Sequence, residues 1–123
     1  MRDENIKMYI EATFGSKILE ELAPMDGEHE IIKKRYCAFF QTELDDLLKW
    51  LNPPYLVLAG VNTHACIRTA ATDAYQLDYR VQIISDCVAS PDQRHHDVSL
   101  DYLERVSKVV KLDEFIKAIG KNI

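Results

Sequence analysis

The sequence predicts an α/β fold of three layers, in which helices cover both faces of a parallel sheet. Helical and strand-like segments alternate along most of the 123 residues, an order typical of parallel strands joined by right-handed crossovers. One strand-like segment, Tyr55–Ala59, is also nearly all apolar, as in strands that are buried on both faces. We expect a single domain over residues 1–123, because the chain is too short for two.

Four helices are predicted from the spacing of apolar residues and from capping patterns. They cover residues 44–51, 63–77, about 90–106 and 112–119. Thr42 is the expected N-cap of the first helix. Ser90 is the expected N-cap of the third, with Pro91 at its first position.

Four strands are predicted outside these helices. They are Glu30–Lys33, Tyr55–Ala59, Arg80–Ile84 and Lys108–Val110. Each is short and rich in apolar or β-branched residues. Because ligands bind at the carboxyl ends of the strands in open α/β sheets, reactive side chains at those ends are the candidates for a functional site.

The composition and the short motifs exclude several classes of protein. The chain has 15 Lys and Arg against 20 Asp and Glu, a net charge of −5, so we expect no nucleic-acid partner. No apolar run approaches the roughly 20 residues of a membrane helix, and the first residues lack an apolar signal core. The three cysteines form no C-x-x-C pair, which favours a cytoplasmic location. Phosphate-loop, dinucleotide and H-E-x-x-H motifs are absent, so neither a cofactor nor a metal is expected.

Cys66 is the first candidate for chemistry. It falls in the first turn of a helix that follows the strand Tyr55–Ala59 after a tight turn at Gly60. Free N–H groups and the positive end of the helix dipole favour a thiolate there, and the same N–H groups can hold an oxyanion. The alternative is a small apolar residue that packs beneath the sheet, the commoner role of a free cysteine.

Lys33 ends the first predicted strand, at the same edge of the sheet. An ammonium there favours a thiolate and stabilises a charged intermediate; the alternative is a solvated lysine in the basic run of residues 33–35. His64, near a helix start, is either a substrate contact or a residue without a role. Neighbouring residues on a helix point in different directions, so we interpret His95 and His96 as a solvated face and not as a metal site.

Three spaced segments carry a resemblance to a known family. They are residues 60–74 (GVNTHACIRTAATDA), 33–39 (KKRYCAF) and 78–90 (DYRVQIISDCVAS). They resemble the nucleophile, lysine and following-strand segments of the isochorismatase-like cysteine hydrolases, which include nicotinamidases, N-carbamoylsarcosine-type amidohydrolases and isochorismatases. The resemblance implies the family's parallel sheet, with strand order 3-2-1-4-5-6.

The resemblance also implies roles for particular residues. Cys66 matches the nucleophile and Lys33 the lysine of a Cys-Lys-Asp triad. The backbone N–H groups of Asn62 and Cys66 match the oxyanion hole, and a cis peptide bond falls between Val61 and Asn62. Further candidate substrate contacts are Tyr36, Phe39, Thr63 and His64. The implied function is hydrolysis of a small-molecule amide or related C–N bond by a thiolate, without a cofactor.

Two parts of the family pattern have no counterpart in this sequence. The family aspartate near the first strand is missing, since Asp3 is followed by polar residues, and so is a D-x-H metal motif. Cys37 stands where a serine is usual. We therefore interpret the chain as a partial domain, about the C-terminal two-thirds, which lacks the first two strands. That leaves the strand Tyr55–Ala59 with an unpaired apolar edge, so we expect either more sequence upstream or a homo-oligomer.

Two other functions are kept as alternatives. One is a catalytically inactive, truncated homologue that serves as a binding or oligomerisation module, because loss of a general acid costs about 10²–10⁴-fold in rate. Asp86 is the only other acid that we place at a strand end, and we do not assign it as a substitute for the missing family aspartate. The other alternative is ether cleavage of the isochorismatase type, which needs no nucleophilic cysteine, so that the presence of Cys66 favours the amidase branch.

Overall fold

The computed structural model describes residues 16–121, in two units. The first unit, Met1–Glu30, is described from residue 16 onwards and contains a short 3-10 helix, Glu20–Leu22, among exposed residues. The second unit, Ile31–Ile123, contains the sheet, its helices and the candidate site. A single domain over residues 1–123 stays a prediction.

Three parallel strands form the sheet, in the order β1-β2-β3. They are β1 (Leu56–Val61), β2 (Val81–Ala89) and β3 (Lys108–Val110). The register between β1 and β2 shifts between Leu58 and Gly60. Gly60 lies there at a φ of +115°, a region that favours glycine. The predicted α/β fold with a parallel sheet is confirmed, and β2 extends beyond its predicted end to include Asp86 and Cys87.

The prediction of a strand at Glu30–Lys33 is wrong. These residues have no regular secondary structure, and Ile32 is 68% exposed. Within residues 16–121 no strand pairs with them. The preference of isoleucine for strands depends on packing against neighbouring strands, and without such a neighbour the segment is a loop.

Within the described range, four α-helices flank the sheet. They are α1 (Leu44–Leu51), α2 (Arg68–Gln76), α3 (Gln93–Leu103) and α4 (Leu112–Gly120). A π-helix, Thr63–Ile67, runs directly into α2. The four predicted helices are therefore confirmed, although the one predicted over residues 63–77 begins with a wider turn than an α-helix has.

The start of α3 differs from its predicted cap. Asp92 is the N-cap, and its carboxylate accepts hydrogen bonds from the backbone N–H groups of Arg94 at 2.9 Å and His95 at 3.4 Å. Ser90, the expected cap, instead places its hydroxyl against His64. The side chain that reaches the free N–H groups of the first turn becomes the cap, and a serine engaged elsewhere does not.

Side-chain contacts fix α1 and the loop before it. Thr42 Oγ1 accepts the N–H of Leu44 at 3.3 Å, although the N-cap position itself is Glu43. The Tyr79 hydroxyl donates to Asp45 at 2.6 Å, and this bond raises the pKa of Tyr79 to about 12. The Phe39 ring stacks on the Tyr79 ring, with centroids 6.0 Å apart.

The hydrophobic core lies where the sheet meets the π-helix, α2 and α3. Its buried members are Ile67, Ala71, Ala74, Val81, Ile83, Val88 and Leu103. Ile83 on the central strand and Leu103 at the end of α3 are both fully buried. The small alanines of α2 let this helix pack closely on the sheet, and this packing fixes the π-helix at the end of β1.

We expect Asp92 to stabilise the protein at neutral pH but not in strong acid. The Arg94 side chain, at 2.9 Å, and the backbone N–H groups of α3 lower the pKa of Asp92 to about 2, from 3.8 in a model compound. The stabilisation is therefore present above pH 3.8 and is lost as the pH falls towards 2.

Urea unfolding of Asp92→Ala and Asp92→Asn across this pH range checks the expectation. Asparagine keeps the cap and loses the charge, so it isolates the ionic part. If Asp92→Ala lost as much stability in strong acid as at neutral pH, the ionised carboxylate would not be the stabilising group.

Candidate active site

The π-helix places Cys66 at the carboxyl end of β1. The strand ends at Val61, and the peptide bond between Val61 and Asn62 is cis, as the resemblance implies. The Asn62 carbonyl accepts the backbone N–H groups of Ala65 at 3.1 Å and Ile67 at 3.2 Å. These bonds close the turn around Cys66, whose side chain is half-buried.

The Lys33 ammonium lies against the Cys66 sulfur, with Nζ 3.5 Å from Sγ. Nζ also donates to the carbonyls of Arg35 at 3.1 Å and Tyr36 at 3.2 Å. Each of the three N–H donors of the ammonium thus has an acceptor. The structure therefore brings together the two side chains to which the resemblance assigns the chemistry.

A carboxylate does not join this pair within residues 16–121. In that range neither Lys33 nor Cys66 forms a hydrogen bond or ion pair with an acid. Asp86 accepts the N–H of Leu112 at 2.9 Å and therefore serves the start of α4. Asp3 lies outside the described residues. No group of three or more metal-ligating side chains occurs in the described part of the chain.

Thr63 and His64 are held by side chains that the sequence analysis did not assign to the site. Thr63 is fully buried, and its Oγ1 lies 2.8 Å from Nδ1 of His96. The His64 N–H donates to Ser90 Oγ at 3.2 Å, and its Nδ1 is 2.8 Å from the same oxygen. The interpretation of His95 and His96 as a solvated face is wrong for His96; His95 is exposed, with its ring 5.4 Å from that of His64.

The other two candidate substrate contacts differ from each other in exposure: Tyr36 lies at the surface, and Phe39 packs against the core. Tyr36 is 65% exposed and lies beside Lys33, to which it offers its carbonyl. Phe39 packs against the core and stacks on Tyr79, which favours a structural role. Substrate binding by either residue stays a prediction.

Cys37 and Asp73 form a second contact, which the sequence analysis did not identify. Cys37 is buried, and its S–H donates to Asp73 Oδ2 at 2.9 Å. Burial raises the pKa of Cys37 and the hydrogen bond to Asp73 raises it further, so the thiol stays protonated. The only signal in the sequence is that Asp73 follows Cys66 by about two helical turns, on the same side of the helix.

The half-buried cysteine lies at the end of a strand in a parallel α/β sheet, and a lysine lies beside it. This arrangement defines a class of candidate nucleophilic enzymes. The family described as the Isochorismatase domain matches residues 3–114, and the chain belongs to this family. The predicted relationship to isochorismatase-like hydrolases is thereby confirmed.

Individual relatives agree with this assignment. The isochorismatase family protein YaaI of Bacillus subtilis is 32% identical over 72% of this chain and 49% of its own length. An isochorismatase-like hydrolase from Alkaliphilus metalliredigens superposes with a TM-score of 0.87 and 36% identity, over 90% of this chain and 61% of that one. An N-carbamoylsarcosine amidase from Thermoplasma acidophilum gives a TM-score of 0.75 and 26% identity, over 85% and 60%.

The chain spans about half the length of the curated relatives that it matches. Among the described residues, no helix has the length and apolar character needed to cross a membrane.

Proposed function

We propose that the protein is a cysteine hydrolase that cleaves a small amide or related C–N bond. The observation that carries this proposal is the 3.5 Å contact between Lys33 Nζ and Cys66 Sγ. A thiol paired with a cation at a helix start is the arrangement that activates a cysteine nucleophile. The amidase among the similar structures supports a C–N bond as the bond cleaved.

In the proposed reaction, the Cys66 thiolate attacks the carbonyl carbon, and the backbone N–H groups of Asn62 and Cys66 hold the oxyanion. The C–N bond then breaks, the amine leaves with a proton from the Lys33 ammonium, and a thioester remains on Cys66. Water adds to the thioester, gives a proton back to Lys33 and releases the carboxylic acid and the thiolate.

Lys33 is the proton donor in this scheme because no acid within residues 16–121 contacts it. The absence of a dedicated general acid costs about 10²–10⁴-fold in rate. We therefore expect slow turnover from the described residues alone. A small-molecule substrate at Cys66 would contact Tyr36 and His64.

We propose a cytoplasmic location, because the three cysteines are free, as expected in a reducing compartment.

The second candidate function is a non-catalytic binding or oligomerisation module. It is favoured by the edge of β1, which in the described residues pairs only with β2. Val57 and Val61 on this strand are 39% and 64% exposed. Unpaired apolar edges are templates for another strand, so the partner of such a module would be a second copy of the chain.

Trapping of the acyl-enzyme distinguishes the two functions. The protein is incubated with nicotinamide, N-carbamoyl and ureido compounds, quenched in acid and digested. We expect the mass of an acyl group on the peptide that contains Cys66, together with ammonia release, while the peptide that contains Cys87 stays unmodified. If every compound left Cys66 unmodified and released no ammonia, the hydrolase proposal would be wrong and the module would be favoured.

A further inference from the structure

The loop of residues 31–43 contacts the helical segment that bears the nucleophile at two points. At the first, Lys33 Nζ reaches Cys66 Sγ at 3.5 Å. At the second, Cys37 Sγ reaches Asp73 Oδ2 at 2.9 Å. The proposed chemistry uses the first contact, and nothing in it uses the second.

The second contact has the features of an anchor. Cys37 is 8% exposed, and its sulfur also accepts the backbone N–H of Phe39 at 3.4 Å. Its carbonyl accepts the N–H of Phe40 at 3.3 Å. The preceding residue, Tyr36, offers its carbonyl to Lys33, so Lys33 is tied to a short turn that Cys37 fixes.

Asp73 is held on its own side of the contact. It lies in α2, is half-buried, and its second oxygen, Oδ1, accepts from Gln76 Nε2 at 3.1 Å. A hydrogen bond from a thiol to a carboxylate is charge-assisted and stronger than one between neutral groups. Beside this contact is a cleft of about 460 Å³ lined by Cys37, Arg68, Thr69, Thr72, Asp73 and Tyr102.

We propose that the hydrogen bond between Cys37 and Asp73 positions Lys33 against Cys66, so that both residues are positioning residues for the proposed hydrolase. Lys33 is exposed and its side chain is long and flexible, so the ammonium stays at the sulfur only while its loop is anchored. The catalytic meaning of this inference rests on the proposed function, but its effect on Cys66 is measurable without turnover.

The test is the rate at which iodoacetamide alkylates Cys66, followed by peptide mass spectrometry across a series of pH values. Cys37→Ala and Asp73→Ala are expected to lower the rate at neutral pH about tenfold and to move its rise to higher pH. Cys37→Ser keeps a donor and is expected to retain most of the rate. Gln76→Ala, which removes the other side-chain bond of Asp73, is the matched control and leaves the rate unchanged.

A double-mutant cycle with Lys33→Met separates positioning from general destabilisation. Asp73→Ala is expected to change the alkylation of Cys66 little once Lys33 is methionine. An equal fall in both backgrounds would overturn the inference. Coupling in a protein that hydrolyses no amide would refute the proposed function and leave the positioning role intact, so the two failures are distinguishable.

Discussion

Replacing Cys66 with alanine is expected to reduce amide hydrolysis to the uncatalysed background, a loss of at least about 10³-fold. Alanine has no atom that could form the thioester, so neither acylation nor water attack on an acyl-enzyme takes place. The measurement is ammonia release at saturating substrate from the wild type and the variant. Cys87→Ala is the control, because Cys87 is half-buried within β2 and, among the described residues, Lys33 forms its hydrogen bonds with Arg35, Tyr36 and Cys66 instead.

Equal, slow ammonia release from the wild type and Cys66→Ala would show that the reaction does not pass through this thiol. The amidase proposal would then lose its support. A loss in Cys87→Ala as large as that in Cys66→Ala would point to general damage to the fold.

Replacing Ile83 with alanine is expected to lower the free energy of unfolding by about 2–5 kcal/mol. Ile83 is fully buried on β2, the central strand, with neighbours on both sides. Truncation therefore removes apolar burial and also leaves a cavity that the sheet cannot close by moving one edge. The measurement is urea unfolding followed by circular dichroism.

Val98→Ala is the matched control for Ile83→Ala. Val98 lies on α3 and is 66% exposed, so its truncation is expected to change stability by less than about 0.5 kcal/mol. A similar small change for Ile83→Ala would mean that the core around β2 is loosely packed.

The helices were predictable because their signals are local. Apolar residues at helical spacing and a proline or glycine after the last turn are read from one segment alone. The strand prediction at Glu30–Lys33 was wrong for the opposite reason, since a strand exists only beside a partner and pairing is not local. Likewise Ser90 has a good capping side chain, but its hydroxyl oxygen accepts a hydrogen bond from the backbone N–H of His64, 26 residues away.

The candidate site was predictable in part. The position of Cys66 after a strand and a tight turn made it a candidate nucleophile. Lys33 was a candidate because a strand was predicted to end there, and the triad roles of both residues came from the resemblance. The contacts between Cys37 and Asp73 and between Thr63 and His96 join residues 36 and 33 positions apart. No spacing rule connects such positions, so only the folded chain shows them.

The loop of residues 31–43 lacks regular secondary structure, and this has a consequence for the dynamics of the molecule. Segments held by a few side-chain contacts open at lower free energy than segments held by a ladder of backbone hydrogen bonds. The half of the site that carries the ammonium would then detach while the sheet and the half that carries the thiol stay folded. The lifetime of the assembled site and the stability of the fold are therefore separate quantities in this protein.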